Sequence, residues 1–209
     1  MPHGQAKQWA LQVLLGPEFG GAGKVCSRFA RPVTVSVMRG TAAERVHLLQ
    51  WVPLLDQQLR AAGSSLTLLA DGDGNAAIEV HFVNHAEFDA IGKAKGFPVH
   101  GGNFGYFWTF WDDSHRITKA HVLIAKDKLS GAKLRHFTFE ELTQSLGLSN
   151  DSAVFGDSIF YANGAHGGSA PTLSALDQKL VRFYYRHVAP GSQKPQLEAA
   201  FDALWASTP

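Results

Sequence analysis

Residues 136–151 read HFTFEELTQSLGLSND. Thr138 precedes Glu141 by three, the spacing of a capping box, and Phe137 and Leu142 stand at the two staple positions. Gly147 stands where a left-handed C-cap belongs. The stretch is therefore predicted to be a helix that starts at Thr138 and stops at Gly147. It places Glu140, Glu141 and Gln144 within the same turn or one turn apart, with Asn150 and Asp151 just beyond.

Moving outward, residues 112–115 (DDSH) separate GYFWTFW from RITKAHVLIA, which reads as a hairpin. LTLLA (66–70) and AAIEVHFVN (76–84) read as two strands joined by the turn DGDGN, with a short helix over about 86–91. RPVTVSVMRG (31–40) alternates Val33, Val35 and Val37 with polar neighbours, a half-buried strand. Thr41 and Glu44 form another capping-box pattern, opening a helix that carries Leu48, Val52, Leu55 and Leu59 and closes at Gly63. Pro53 is expected to kink or split it. Helices over about 5–15, 173–187 (marked by Ser174 and Asp177) and 194–206 complete the reading. The class is α+β, a mixed sheet followed by a helical C-terminal part. One domain is expected over 1–209, with a sheet-containing upper lobe to about 148 and a helical lower part from about 149.

A chain of 209 residues, 45% hydrophobic, can bury one substantial core. Its net charge of +1, with 18% charged residues, argues against broad attraction to nucleic acid or anionic lipid. A single cysteine, Cys26, excludes an internal disulfide. WALQVLL is too short to span a membrane.

Zinc peptidases use H-E-x-x-H because residues i and i+4 share a helix face, and the adjacent Glu acts as general base on metal-bound water. The metzincin clan extends this to H-E-x-x-H-x-x-G-x-x-H. Glu140, Glu141, Gln144, Gly147 and Asn150 occupy those positions here, so the Glu and the Gly match and the histidines do not. The element order, strand, helix, four strands and then this helix, resembles the metzincin upper lobe. SIFY (158–161) resembles the turn beneath the metal, with Phe160 in the methionine's place and Tyr161 one residue short of the clan's tyrosine; LSALDQKLVRFYY (173–185) resembles the last clan helix. Through GPEFG, RPVTVSV, EELTQSLGL, NDS, SIF and LSALD the chain most resembles a bacterial family of unknown function with a metzincin-like fold, in which Gln is the norm at the second ligand position. That resemblance implies a mixed twisted sheet with an active-site-type helix, and a periplasmic or secreted mature chain.

The function expected is a catalytically retired metallopeptidase-like domain that binds an extended polymer or a protein partner: peptide, protein or cell-wall polymer, and no nucleic acid. No cofactor is expected, because amides are weak zinc ligands. One alternative is a hydrolase with Glu141 as general base and an unusual metal or none. Another is an interaction domain with no ligand site, in which Glu140 and Glu141 serve the helix dipole and Gln144 and Asn150 bond backbone. An oxygen-only set of Glu140, Gln144 and Asp151 suits a hard cation. His136 falls outside the predicted helix, and His166 stands in a Gly-rich loop that can fold back toward it. His81 and His85 straddle a strand end in poor geometry for one metal. Tyr106, Trp108 and Phe110 alternate with Phe107, Thr109 and Trp111, which reads most simply as a strand buried on both faces. In the other reading Trp108 or Trp111 lines a cleft, with Phe160, Tyr161, His136 and His166 as further lining candidates.

Overall fold

Alternation at Val33, Val35 and Val37 produces the strand β1 (Val33–Arg39), with all three valines buried. The computed structural model describes residues 2–16, 25–163 and 166–209, with backbone alone at 163, 166 and 167. After α1 (His3–Leu15) and β1 come α2 (Ala42–Ala61), β2 (Leu66–Leu68), β3 (Ile78–Val83), a short 3-10 turn, and α3 (Phe88–Lys95). Next are β4 (Gly105–Trp111), β5 (Ile117–Ala125), α4 (Gly131–Gln144), a ribbon of β6 (Ala162–Asn163) and β7 (His166–Gly167), α5 (Ala175–His187) and α6 (Lys194–Leu204).

The main sheet has the order β2-β1-β3-β5-β4. β1 pairs in parallel with β2 and β3, and β3 with β5; β4 is the antiparallel edge, joined to β5 as the predicted hairpin. The α+β class read from the sequence therefore holds. β2 and β3 follow each other in the chain, yet β1 lies between them, so DGDGN carries a crossover and not a tight hairpin. Parallel neighbours need such long connections, and α2 provides the one between β1 and β2.

One face of the sheet packs on α2 and α4 through Phe107, Val122 and Ile124, and Trp51 of α2 stacks on Phe139 of α4 at 4.3 Å between ring centroids. The other face carries a smaller cluster under α3, where Phe88 and Ile91 meet Tyr106 and Leu123. α1 packs on α6, not on the sheet, through His3–Phe201 ring contact and the Lys7–Asp202 ion pair. The main core runs on without a break into the C-terminal part, where Phe160, Phe183 and Leu197 belong to the same cluster as the sheet valines.

Three local expectations are corrected. α2 runs as one helix through Pro53, which is exposed. The 86–91 helix extends to Lys95 and closes on Gly96 in the left-handed conformation. α4 starts at Gly131, not Thr138: the Thr138 hydroxyl donates to the Leu134 carbonyl 2.7 Å away, an interior back-bond. Gly147 does adopt a left-handed φ of 103°, and a Cβ there would collide with the Ser27 carbonyl.

Candidate functional site

Because α4 starts about two turns earlier than its pattern suggested, His136 lies inside it. His136, Glu140 and Gln144 then stand at i, i+4 and i+8 on one face, and all three are buried. His136 Nδ1 lies 2.9 Å from the Ala170 carbonyl. A carbonyl only accepts, so Nδ1 carries a proton. Nε2 lies 3.3 Å from Glu140 Oε2, and this contact is favourable only when one of the two holds a further proton. Burial pushes His136 down, but the bond and charge of Glu140 outweigh it and leave the imidazole above its usual value. Burial pushes Glu140 up, and the bond and charge of His136 only partly offset this.

Asp151 joins the cluster from the loop after α4. Gln144 Nε2 donates to its Oδ1 at 2.8 Å. Burial first, then the neighbouring Glu140 charge, push the Asp151 carboxyl up to about 7. All three groups, one imidazole and two carboxyls, are thus shifted toward holding their protons. Asn150 turns the other way, donating to the Gln12 carbonyl at 3.2 Å and the Asp151 carbonyl at 2.8 Å. There it walls an open groove of about 500 Å³ between α1 and α6. Gln144 presents its N–H, not its oxygen, to Asp151, and Glu140 is engaged with His136. Glu140, Gln144 and Asn150 thus do not converge on one point. The oxygen set is only partly assembled, since Gln144 and Asp151 meet through a donor.

Glu141 is buried with its side chain against Gly105 of β4, where any Cβ would meet its carboxylate and the Phe137 ring. It is mid-helix, so the capping role does not apply. Phe160 is fully buried, in contact with Trp9 at 6.4 Å between ring centroids, and is a core residue, not a cleft wall. Tyr161 is half-buried and bridges by backbone to Ser152. Trp108 is half-buried on the α3 face, stacked on Phe97 at 6.2 Å, away from α4. Trp111 is 53% exposed at the end of β4. The strand is thus buried on both faces only in its first half. The His166 side chain lies outside the described residues.

The turn SIFY is held by a residue that had been read only as a helix start. Asp177 closes the capping box with Ser174 and also accepts from the Ser158 hydroxyl at 2.6 Å and the Ile159 N–H at 3.0 Å. It is fully buried. The sequence reading weighed His81 only with His85 and missed Glu79 and His121; these three side chains of β3 and β5 meet on the α3 face. The signal was present in the alternation of IEVHFV, which puts Glu79 and His81 on one side.

The family model described as "Protein of unknown function (DUF2927)" matches residues 5–203. A solved structure described as "Structure of myroilysin" is similar at 14% identity and a TM-score of 0.46, covering 76% of this chain and 95% of that one. At that identity and score the likeness assigns neither activity nor site residues. No curated protein matches the chain. Among the described residues, no helix is long and apolar enough to cross a membrane.

Proposed function

The chain belongs to the DUF2927 family of proteins of unknown function, and from that premise we propose that it is a metallopeptidase-like domain, without catalytic zinc on α4, that binds an extended polymer or protein partner along β4. The observation that carries this reading is the edge itself. β4 ends the sheet, it is antiparallel, and its residues GYFWTFW include no charge and no proline. Exposed sheet edges are commonly blunted by charge or proline, and an unblunted one is a ready template for an added strand. Phe104 (40% exposed) and Trp111 (53% exposed) flank this edge as apolar anchors. The order β1, α2, β2 to β5 and α4 supports the metzincin-like outline, since only α3 is added to the expected series. Retirement is supported by the engaged state of Glu140, Gln144 and Asn150, because zinc supplies both the lowered water pKa and the transition-state charge stabilisation in this chemistry.

The test offers casein fragments, gelatin peptides and soluble cell-wall fragments to the parent protein and to Glu141→Gln. Binding by one of these classes is expected, with backbone amide shifts concentrated in residues 104–111 and no turnover by either protein. Turnover by the parent that vanishes in Glu141→Gln at unchanged melting temperature would promote the hydrolase reading. Binding to none of them would leave an interaction domain without this ligand site.

A further inference from the structure

β3 and β5 run in parallel register, so that Glu79 faces His121 directly, and His81 follows Glu79 by two on the same side. All three side chains are buried. Burying a carboxylate and two imidazoles on an otherwise apolar sheet face is costly unless their polar atoms find partners. Glu79 finds them, but His81 Nδ1, His81 Nε2 and His121 Nδ1 have no hydrogen-bond partner among the described residues.

The three groups point at a common centre. Glu79 Oε2 lies 3.4 Å from His121 Nδ1 and 3.7 Å from His81 Nε2. One ligand atom from each residue lies within 4.8 Å of the others. A tetrahedral ion with bonds of about 2.0–2.1 Å sets its ligand atoms ~3.3–3.4 Å apart. Two contacts are thus already near the edge length of such a site. Burial, as the largest influence, pushes both imidazoles down to about 4, so both are uncharged at neutral pH. A neutral imidazole keeps one ring nitrogen with a free lone pair for a metal.

We propose that Glu79, His81 and His121 form a binding site for one divalent transition-metal ion of the zinc class. Two imidazoles and one carboxylate suit that class better than calcium or magnesium, which favour oxygen ligands alone. His81 Nε2 and His121 Nδ1 supply nitrogen, and Glu79 Oε2 supplies oxygen. The proposal departs from the expectation of a zinc-free chain, which rested on the residues of α4 and the spacing of histidine pairs.

Two lysines define how the ion enters. Lys119 Nζ holds Glu79 Oε1 at 2.6 Å and is itself fixed by the carbonyls of Gly74 at 3.0 Å and Ala76 at 2.7 Å. It leaves Oε2 free for the metal. Lys95 Nζ lies 2.7 Å from Oε2, the oxygen that faces both histidines. Lys95 sits in the last turn of α3 with its side chain 36% exposed, and Glu79 is its one hydrogen-bonded side chain among the described residues. Its ammonium occupies the charge position of the ion and can swing to solvent when the ion binds. Phe97, stacked on His121 at 5.2 Å, and Phe110, edge-on at 6.0 Å, close the site on the α3 side and limit access by water.

The experiment titrates the full chain, stripped with chelator, with Zn(II) by calorimetry and with Co(II) by visible absorption. One ion per chain is expected, with a Co(II) spectrum of four- or five-coordinate nitrogen and oxygen ligation and a zinc-dependent rise in melting temperature. His81→Ala and His121→Ala should each weaken binding at least tenfold, and His136→Ala should leave it unchanged. Lys95→Met should tighten binding several-fold, because it removes the competitor at Oε2, and Lys119→Met should not. The lysine variants keep both imidazoles, so they test the site even where a histidine variant folds poorly. Absence of stoichiometric binding by the parent would overturn the proposal. So would binding that survives loss of both His81 and His121.

Discussion

His136 Nε2 lies 3.3 Å from Glu140 Oε2 across one turn of α4, and both side chains are buried. The Ala170 carbonyl takes the other ring nitrogen, so this pair is stable only with a proton between its members. Asp151 lies close enough for its carboxyl to respond to the Glu140 charge. The helix that resembles a zinc-binding element thus carries a proton-sharing cluster on the face where metal ligands would stand.

Stability is expected to depend on pH through Asp151. Its folded-state pKa of about 7 stands above the ordinary 3.8, so the folded protein binds this proton more tightly than the unfolded chain. The stabilising contribution is complete below the ordinary value and is lost as pH rises through that window. His136, raised from 6.5, acts in the same direction at higher pH. Asp151→Asn does not titrate and keeps an acceptor for Gln144. Its stability relative to the parent should therefore grow from pH 4 to pH 8, by on the order of 1–3 kcal/mol. Urea unfolding at the two pH values measures this, and a constant difference would contradict it.

Asp177→Asn should be among the most costly single changes in the C-terminal part. Both the Ile159 N–H and the Ser174 N–H converge on Asp177 Oδ2, at 3.0 and 2.8 Å. An amide has one acceptor oxygen: turned to the two N–H groups it sets its NH2 against Ser158 Oγ, so that hydroxyl loses its acceptor and the two N–H bonds lose their charge. A loss of about 2–4 kcal/mol is expected, since buried hydrogen bonds to a charged group are broken. A denaturant midpoint within error of the parent would show that the turn at Ser158 is held by other contacts.

Two substitutions separate a true cap from its imitation. Ser174 Oγ accepts from the Asp177 N–H at 3.1 Å, and Ser174→Ala should cost about 1 kcal/mol. Thr138 bonds only back to the Leu134 carbonyl, which the helix already uses, so Thr138→Val should change stability by less than ~1 kcal/mol. Equal losses in thermal or chemical unfolding would argue that Thr138 starts a helix after all.

The capping boxes at Thr41 and Ser174 were legible because both partners lie within four residues and each box precedes an apolar stripe. The same spacing at Thr138 and Glu141 deceived, because positions three apart also share a buried face in mid-helix. With the helix start misplaced, His136 was set outside the element that carries it. Asp151 was recognised beside Glu140 and Gln144, but its bond to Gln144 depends on how the chain returns after Gly147.

What the sequence by itself determined is the local and periodic part: the α+β class, the run of elements, the hairpin at residues 112–115 and the left-handed Gly147. Periodicity and backbone sterics act over a few residues, so a single chain displays them. Tertiary structure alone decided which strands are neighbours, that β1 separates β2 from β3, and that Glu79 meets His121 from a segment more than forty residues away. It also decided that Asn150 faces α1 and that His136 faces Glu140. Such meetings follow from parallel strand register and helix packing, which depend on the balance of burial across the whole chain.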